Sequence, residues 1–163
     1  MKNIIFKVLD ELEIKYNNYE HLPAFTCEDA KWIDIPWERV KSLLLRNKHK
    51  TNIYMLVLWD KKKLDSNKLR KILKENKISF TTKELMNELI WVDPWHVSPF
   101  ALVNNKEKNI KVLFDIELKN STVWFHPWQN DNTTVLSINC VEKFLNHLWF
   151  NYEYINLEEN IEE

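Results

Sequence analysis

Glycine is absent from this chain of 163 residues. An average composition would supply about eleven, at roughly 7%. Every backbone position that needs a positive φ must therefore be filled by a residue with a Cβ, which resists that conformation. Cysteine is scarce too: Cys27 and Cys140 make neither a disulfide framework nor a metal-ligand spacing, and a reducing cytoplasm suits them. No apolar run approaches the roughly 20 residues that cross a bilayer, so no membrane partner is expected. Near the N-terminus, Met1 to Lys7 soon meets Asp10, Glu11 and Glu13, which excludes a signal-peptide pattern.

What is abundant is charge, aromatic bulk and Lys, Asn and Ile, the last three a mark of an AT-rich genome. Apolar residues make up 45% and charged ones 29%, which places the chain among globular proteins with one sizeable core. The formal net charge of −1 conceals a split. From Lys31 to Lys77 there are 14 Lys and Arg against 5 Asp and Glu, whereas from Asn139 to Glu163 the count is 1 against 6. The basic segment suits a nucleic-acid backbone and equally a solvated helix face with a basic turn at Lys61–Lys63.

Hydrophobic periodicity outlines the elements. Ile5, Val8, Leu9 and Leu12 predict an amphipathic helix over 2–13, followed by a short strand from Lys15 to Tyr19. Thr26 with Glu28 and Asp29 starts a second helix that stops near Trp32. Residues 41–46 and 53–58 read as a hairpin across the polar turn 47–52, and Leu64-Asp65 leads into a helix bearing Leu69, Ile72 and Leu73. Thr81 and Glu84 have capping-box spacing for a further helix with Leu85, Met86 and Leu89. Strands are expected at 100–103, 110–114, 122–125, 134–138 and 152–157, with a helix capped by Asn139 and Glu142 before the last. Helices interleave with strands early and strands cluster late, which argues for a mixed α/β (α+β) domain with a mixed twisted sheet. One domain spans 1–157, and 158–163 reads as an acidic, frayed tail.

The stretch Val92 to Phe100 stands out, because Pro94 and Pro99 stiffen a loop that runs into a buried apolar segment. Such a loop holds its backbone amides still, as a binding site needs and as an ordinary connection also does.

Several segments then align, in order, with one family. Glu20-His21-Leu22-Pro23-Ala24-Phe25-Thr26 and the run from Ile35-Pro36 to Arg46 resemble the EHPPVFT and IPG…KNLFLR segments of the YbaK/ProX editing domains. The 92–100 loop with Ala101 to Asn105 resembles their PGSVTPFGLIND, and Phe125-His126-Pro127 with Asn130, Thr133 and Thr134 resembles their FHP…N…T. The resemblance covers about residues 5–157 and is nearest to the free-standing alanyl-tRNA(Pro) deacylases.

The resemblance implies trans-editing: hydrolysis of the ester when prolyl-tRNA synthetase has charged tRNA(Pro) with the smaller alanine. An activation pocket sized for proline rejects a smaller side chain weakly, so a second, hydrolytic sieve is needed. Lys41 matches the family's active-site lysine, a point charge for the terminal adenosine. Ser42 stands where many members have Asn. Trp95, Val97, Ser98 and Pro99 fall on the GxxxP loop, whose amides hold the substrate carbonyl and developing oxyanion. His126 and Pro127 line the aminoacyl pocket, Phe25, Thr26 and Ile35 supply its wall, and Phe100 and Asn104 flank it. The implied partners are the tRNA(Pro) acceptor end, not DNA, and prolyl-tRNA synthetase; no metal and no cofactor are implied.

Taken singly, each residue has a plainer reading: Lys41 as one surface lysine among many, His126 as a strand-end histidine, Phe25 as core. His96 has no family counterpart and reads as an exposed loop residue, and Cys27 lacks a placed base for nucleophilic work. Editing of Cys-tRNA(Pro) or Ser-tRNA, or a silent tRNA- or synthetase-binding role, uses the same motifs. Finally, Trp32, Trp37, Trp91, Trp95, Trp124 and Trp149 fall where the family has glycine, and Trp59 and Trp128 fall in turn-like settings. The pattern reads as UGA codons that the source organism decodes as glycine. If Trp95 is genuine, its indole crowds the loop amides.

Overall fold

A hairpin of two long strands lies at the centre of the sheet: β2 (Glu38–Asn47) and β3 (Ile53–Trp59), antiparallel, with Lys41 opposite Leu58 and Arg46 opposite Ile53. The computed structural model describes residues 2–20, 38–125 and 132–158. Asn47 builds the turn of the hairpin. Its Oδ1 accepts from the amides of Thr51 (2.9 Å) and Asn52 (3.1 Å), and its Nδ2 donates to Thr51 Oγ1 at 2.7 Å. With no glycine available, Lys50 takes the left-handed turn position at φ 57°.

The hairpin is extended on both sides. β3 runs parallel to β5 (Ile110–Asp115), which runs parallel to β8 (Tyr152–Ile155). The start of β2 lies parallel to β6 (Thr122–Phe125), with Glu38 beside Val123 and Arg39 beside Trp124. β6 pairs antiparallel with β7 (Asn132–Ser137), and β7 with β1 (Asn17–Glu20). The other end of β2 takes the short β4 (Ile78–Phe80). Among the described residues the result is an eight-stranded mixed sheet, the mixed α+β architecture expected.

Side chains alternate across β2 and β3, and two hydrophobic clusters form on the two faces. Val40, Leu44, Met55 and Val57 face the larger one. There they meet Ile5 and Leu9 of α1 (Lys2–Glu11), Met86 and Ile90 of α3 (Lys83–Ile90), and Val141, Phe144 and Leu145 of α4 (Ile138–His147). Leu45, Tyr54, Leu56 and Leu58 face the smaller cluster, closed by Leu69 of α2 (Ser66–Ile72). Each fully buried Leu, Ile or Phe contributes about 1.5–3 kcal/mol, so the six-residue apolar run of β3, sealed on both faces, anchors the fold.

Four local expectations are corrected. Residues 100–103 do not form a strand; Pro99–Asn104 is a 3₁₀ helix. Phe100, Ala101 and Leu102 are all buried, so the segment has no solvent face and its apolar run carries no period. Thr82, not Thr81, caps α3, its hydroxyl accepting from Leu85 N at 3.1 Å. Thr81 instead donates from its amide to Leu44 O. Ser137 rather than Asn139 caps α4, accepting from Cys140 N at 3.3 Å. β4 was not expected, because three residues are too few to show alternation. The second helix expected at 26–32 lies outside the described residues.

The missing glycine leaves its mark on the backbone. Among the described residues, Glu13, Lys50, Lys74, Trp91, Lys108, Asn120 and Trp149 adopt positive φ, between 55° and 67°. Trp91 and Trp149 do so where α3 and α4 end.

Candidate active site

Lys41 belongs to the face of β2 that carries Leu43 and Leu45, and it stands opposite Leu58 on β3. It is half-buried and makes no ion pair to a described residue. Arg39, two positions away, is by contrast paired with Asp60.

Arg39, next but one along β2, shares that face. Its guanidinium pairs with Asp60 and lies over the Trp124 ring, 5.7 Å from the centroid. The side chains of Arg39 and Asp60 are 16% and 15% exposed. Asp60 N also donates to Arg39 O at 3.0 Å, so the turn after β3 is tied to the strand before Lys41. The sequence reading passed over Arg39; its signal was the i, i+2 relation to Lys41, which puts both on one side of a strand.

Beside Arg39, β6 runs parallel and ends at Phe125, immediately before His126. His126 and Pro127 lie outside the described residues, as do Phe25, Thr26 and Ile35.

The 92–99 loop follows α3. Val92 is buried, Asp93 accepts from His96 N at 2.9 Å, and Pro94–His96, which includes Trp95, forms a 3₁₀ turn. Pro94 supplies the preset φ of its first position. Val97 packs against the larger cluster. Ser98 is 2% exposed and its carbonyl accepts from Ala101 N, while Pro99 opens the next 3₁₀ helix.

Phe100 and Asn104, expected at the substrate, are instead interior. Phe100 is fully buried, with edge-on contacts to Phe125 (centroids 5.5 Å apart) and Phe144 (5.3 Å). Asn104 Nδ2 donates to Ile90 O at 3.2 Å and Asn105 Nδ2 to Leu89 O at 3.3 Å. These are C-terminal carbonyls of α3 that the helix itself leaves unpaired. The two residues thus hold the loop by its ends: one end against β6, the other against α3.

Two hydroxyls remain. Ser42 Oγ, on the opposite face of β2 from Lys41, and Ser98 Oγ are both buried without a hydrogen-bond partner among the described residues. A buried hydroxyl left unpaired costs about 1–3 kcal/mol, so either group is available to a ligand or an ordered water. His96, expected to be exposed, is half-buried.

Beyond this region, Lys62 Nζ sits among three carboxylates: Asp115 at 2.7 Å, Glu158 at 3.0 Å and Glu117 at 3.3 Å. Burial opposes the charge on Lys62, yet the hydrogen bonds to these acids outweigh it and hold its pKa above the ordinary lysine value. Glu158, expected as the first residue of a frayed tail, is therefore pinned. A cleft of about 380 Å³ lined by Tyr54, Lys74, Lys111 and Glu153 opens at the other end of β3 from Lys41, away from this chemistry. Among the described residues no group of three His, Cys, Asp or Glu is placed to hold a metal ion, and no helix is long and apolar enough to cross a membrane.

Residues 21–144 match the aminoacyl-tRNA editing domain family. The chain belongs to that family. It is 33% identical over 147 residues to the prolyl-tRNA editing protein ProX of Acetoanaerobium sticklandii, covering 88% of this chain and 90% of that protein. Its fold is similar to the crystal structure of a hypothetical protein, APE2540 (TM-score 0.71, 17% identity, 93% of this chain and 97% of that one). It is similar too to a crystal structure of a candidate trans-editing enzyme for prolyl-tRNA synthetase (TM-score 0.69, 18% identity, 98% and 97%). Editing an aminoacyl-tRNA means hydrolysing its ester, and this editing-domain protein is an aminoacyl-tRNA deacylase.

Proposed function

We propose that the protein edits in trans, in the cytoplasm, by hydrolysing mischarged tRNA(Pro), and that Ala-tRNA(Pro) is its substrate. The observation that carries this reading is the likeness to ProX along 88% of the chain, a relative named for prolyl-tRNA editing. The geometry supports it: Lys41 is a half-buried cation without a described ion-pair partner, on the strand beside the one that runs into His126.

In this reading the Lys41 ammonium holds the terminal adenosine of the acceptor end. Amides of residues 95, 97 and 98 polarise the ester carbonyl and receive charge as water attacks, which accelerates acyl transfer by electrostatic preorganisation. The 3₁₀ turn and Pro99 keep those amides fixed, as preorganisation requires. His126, with Phe25, Thr26, Ile35 and Pro127, shapes the pocket around the small side chain. Ser42 stands where many members of the family have Asn, and prolyl-tRNA synthetase is the partner that supplies the mischarged tRNA.

A deacylation panel of Ala-, Cys-, Ser- and Pro-tRNA(Pro) tests the proposal. Release of alanine in preference to the others is expected. Faster release of cysteine or serine replaces the substrate, and hydrolysis of none leaves a tRNA- or synthetase-binding module in its place.

A further inference from the structure

Between Lys61 and Lys77 the chain carries eight basic residues against two acids. This run leaves β3 just after Leu58, the residue opposite Lys41, and continues into α2. Leu69 plants α2 on the sheet face formed by Leu45, Leu56 and Leu58, which is the face Lys41 shares. Lys62 is neutralised by its three carboxylates, but Lys61, Lys63 and Lys74 are exposed and make no ion pair to a described residue. The cations therefore extend outward from the Lys41 site along one side of the molecule.

We infer that the Lys61–Lys63 turn and Lys74, just beyond the end of α2, bind the sugar-phosphate backbone of an RNA whose 3′ end lies at Lys41. The inference rests on the deacylase reading of that site and adds where the body of the tRNA lies. Lys61 and Lys63 on the turn and Lys74 just beyond α2 suit phosphates, which are contacted without regard to sequence.

The test is a triple Lys61→Glu, Lys63→Glu, Lys74→Glu variant of the full chain, checked for an unchanged melting temperature. Two substrates are compared, full-length mischarged tRNA and an aminoacylated acceptor-end fragment of a few nucleotides, and binding of uncharged tRNA is measured against salt. The expected result is a loss of about tenfold or more in tRNA affinity and in kcat/KM on full-length tRNA, with the fragment unaffected. The salt dependence of binding should also become shallower by roughly two to three units of log–log slope. Unchanged tRNA affinity and salt slope overturn the inference. If the unaltered chain hydrolyses neither substrate, the deacylase reading fails, and the binding arm still decides the surface.

A second inference has a separate basis, in the backbone. Trp91 follows α3 at φ 60°, ψ 33°, its amide bonded to Asn87 O, and the residue is 48% exposed. Trp149 follows α4 at φ 67° and is 86% exposed. Left-handed residues at helix C-termini are usually glycine, and the exposed indole of Trp149 offsets little of the steric cost. Lys106 Nζ lies over the Trp91 ring at 5.9 Å. The chain meanwhile has eight tryptophans and no glycine. Trp124 differs, being 5% exposed and stacked under Arg39.

We infer that codons 91 and 149 are UGA and that the organism making this protein reads UGA as glycine. Sequencing these codons and weighing the intact protein from its native source tests this. A mass short by at least two tryptophan-to-glycine differences is expected. A UGG codon at either position, or a mass with eight tryptophans, overturns it.

Discussion

Arg39 holds its guanidinium over the indole of Trp124, 5.7 Å from the ring centroid, while pairing with Asp60. That contact joins β2 to β6 next to Lys41 and just before the chain reaches His126. Arg39→Ala removes the Asp60 ion pair and the cation over Trp124 and is expected to destabilise the fold by about 3 kcal/mol. Urea unfolding measures it, and an unchanged midpoint would refute the coupling of the two strands.

Lys41→Ala has the opposite profile. With no described ion pair to lose, the fold should change by less than about 1 kcal/mol. Deacylation should fall by about 100-fold or more, as when one preorganised electrostatic contact is removed. Single-turnover kinetics on Ala-tRNA(Pro) decide it; a variant as active as the parent removes Lys41 from the site.

Lys62 and its carboxylates predict an alkaline transition. Because the folded-state pKa lies above the ordinary lysine value, the contribution is fully present below that value. It is lost as pH rises beyond about 10.4 and through the folded pKa. Melting temperature against pH should fall more steeply in the parent than in Lys62→Met, and parallel curves would count against the cluster. Glu158 has the reverse sign: its pKa is lowered by hydrogen bonding to Lys62, so its contribution fades as pH drops through the carboxylate range.

Asn104→Ala frees the Ile90 carbonyl at the end of α3 and should cost about 1–2 kcal/mol. Since the same residue ends the segment that begins at Pro99, the loop loosens as well, and KM for the mischarged aminoacyl-tRNA should rise more than kcat falls. Equal stability with unchanged KM would show that the amide serves neither purpose.

In protein made with tryptophan at position 149, Trp149→Gly should raise the melting temperature by about 2–4 °C, because it relieves a left-handed residue and exposes no core. A lower melting temperature would mean that the exposed ring makes a stabilising contact.

Much of the architecture was legible. The hairpin of β2 and β3 announced itself through two apolar runs around a polar turn, and α1 and α4 through amphipathic spacing. Caps were misread by a residue or two where adjacent polar residues compete, as at Thr81 and Thr82. The 99–104 segment was misread because burial on all sides erases periodicity. Lys41, Phe100 and Asn104 all carried motif positions, but the contact of Phe100 with Phe125 and the hydrogen bond of Asn104 to the end of α3 were not legible, because they join segments apart in the chain.

By itself the sequence determined the fold class, the family, the order of the motifs and the absence of glycine, since these depend on local patterns and residue identity. Only the tertiary structure decided that Arg39 is spent on Asp60 and Trp124 while Lys41 has no described ion-pair partner. It alone showed that α2 lies on the Lys41 face, and that Trp91 and Trp149 occupy left-handed helix ends. Pairing, facing and backbone hand arise from contacts between residues far apart in the chain, and spacing along the chain does not encode them.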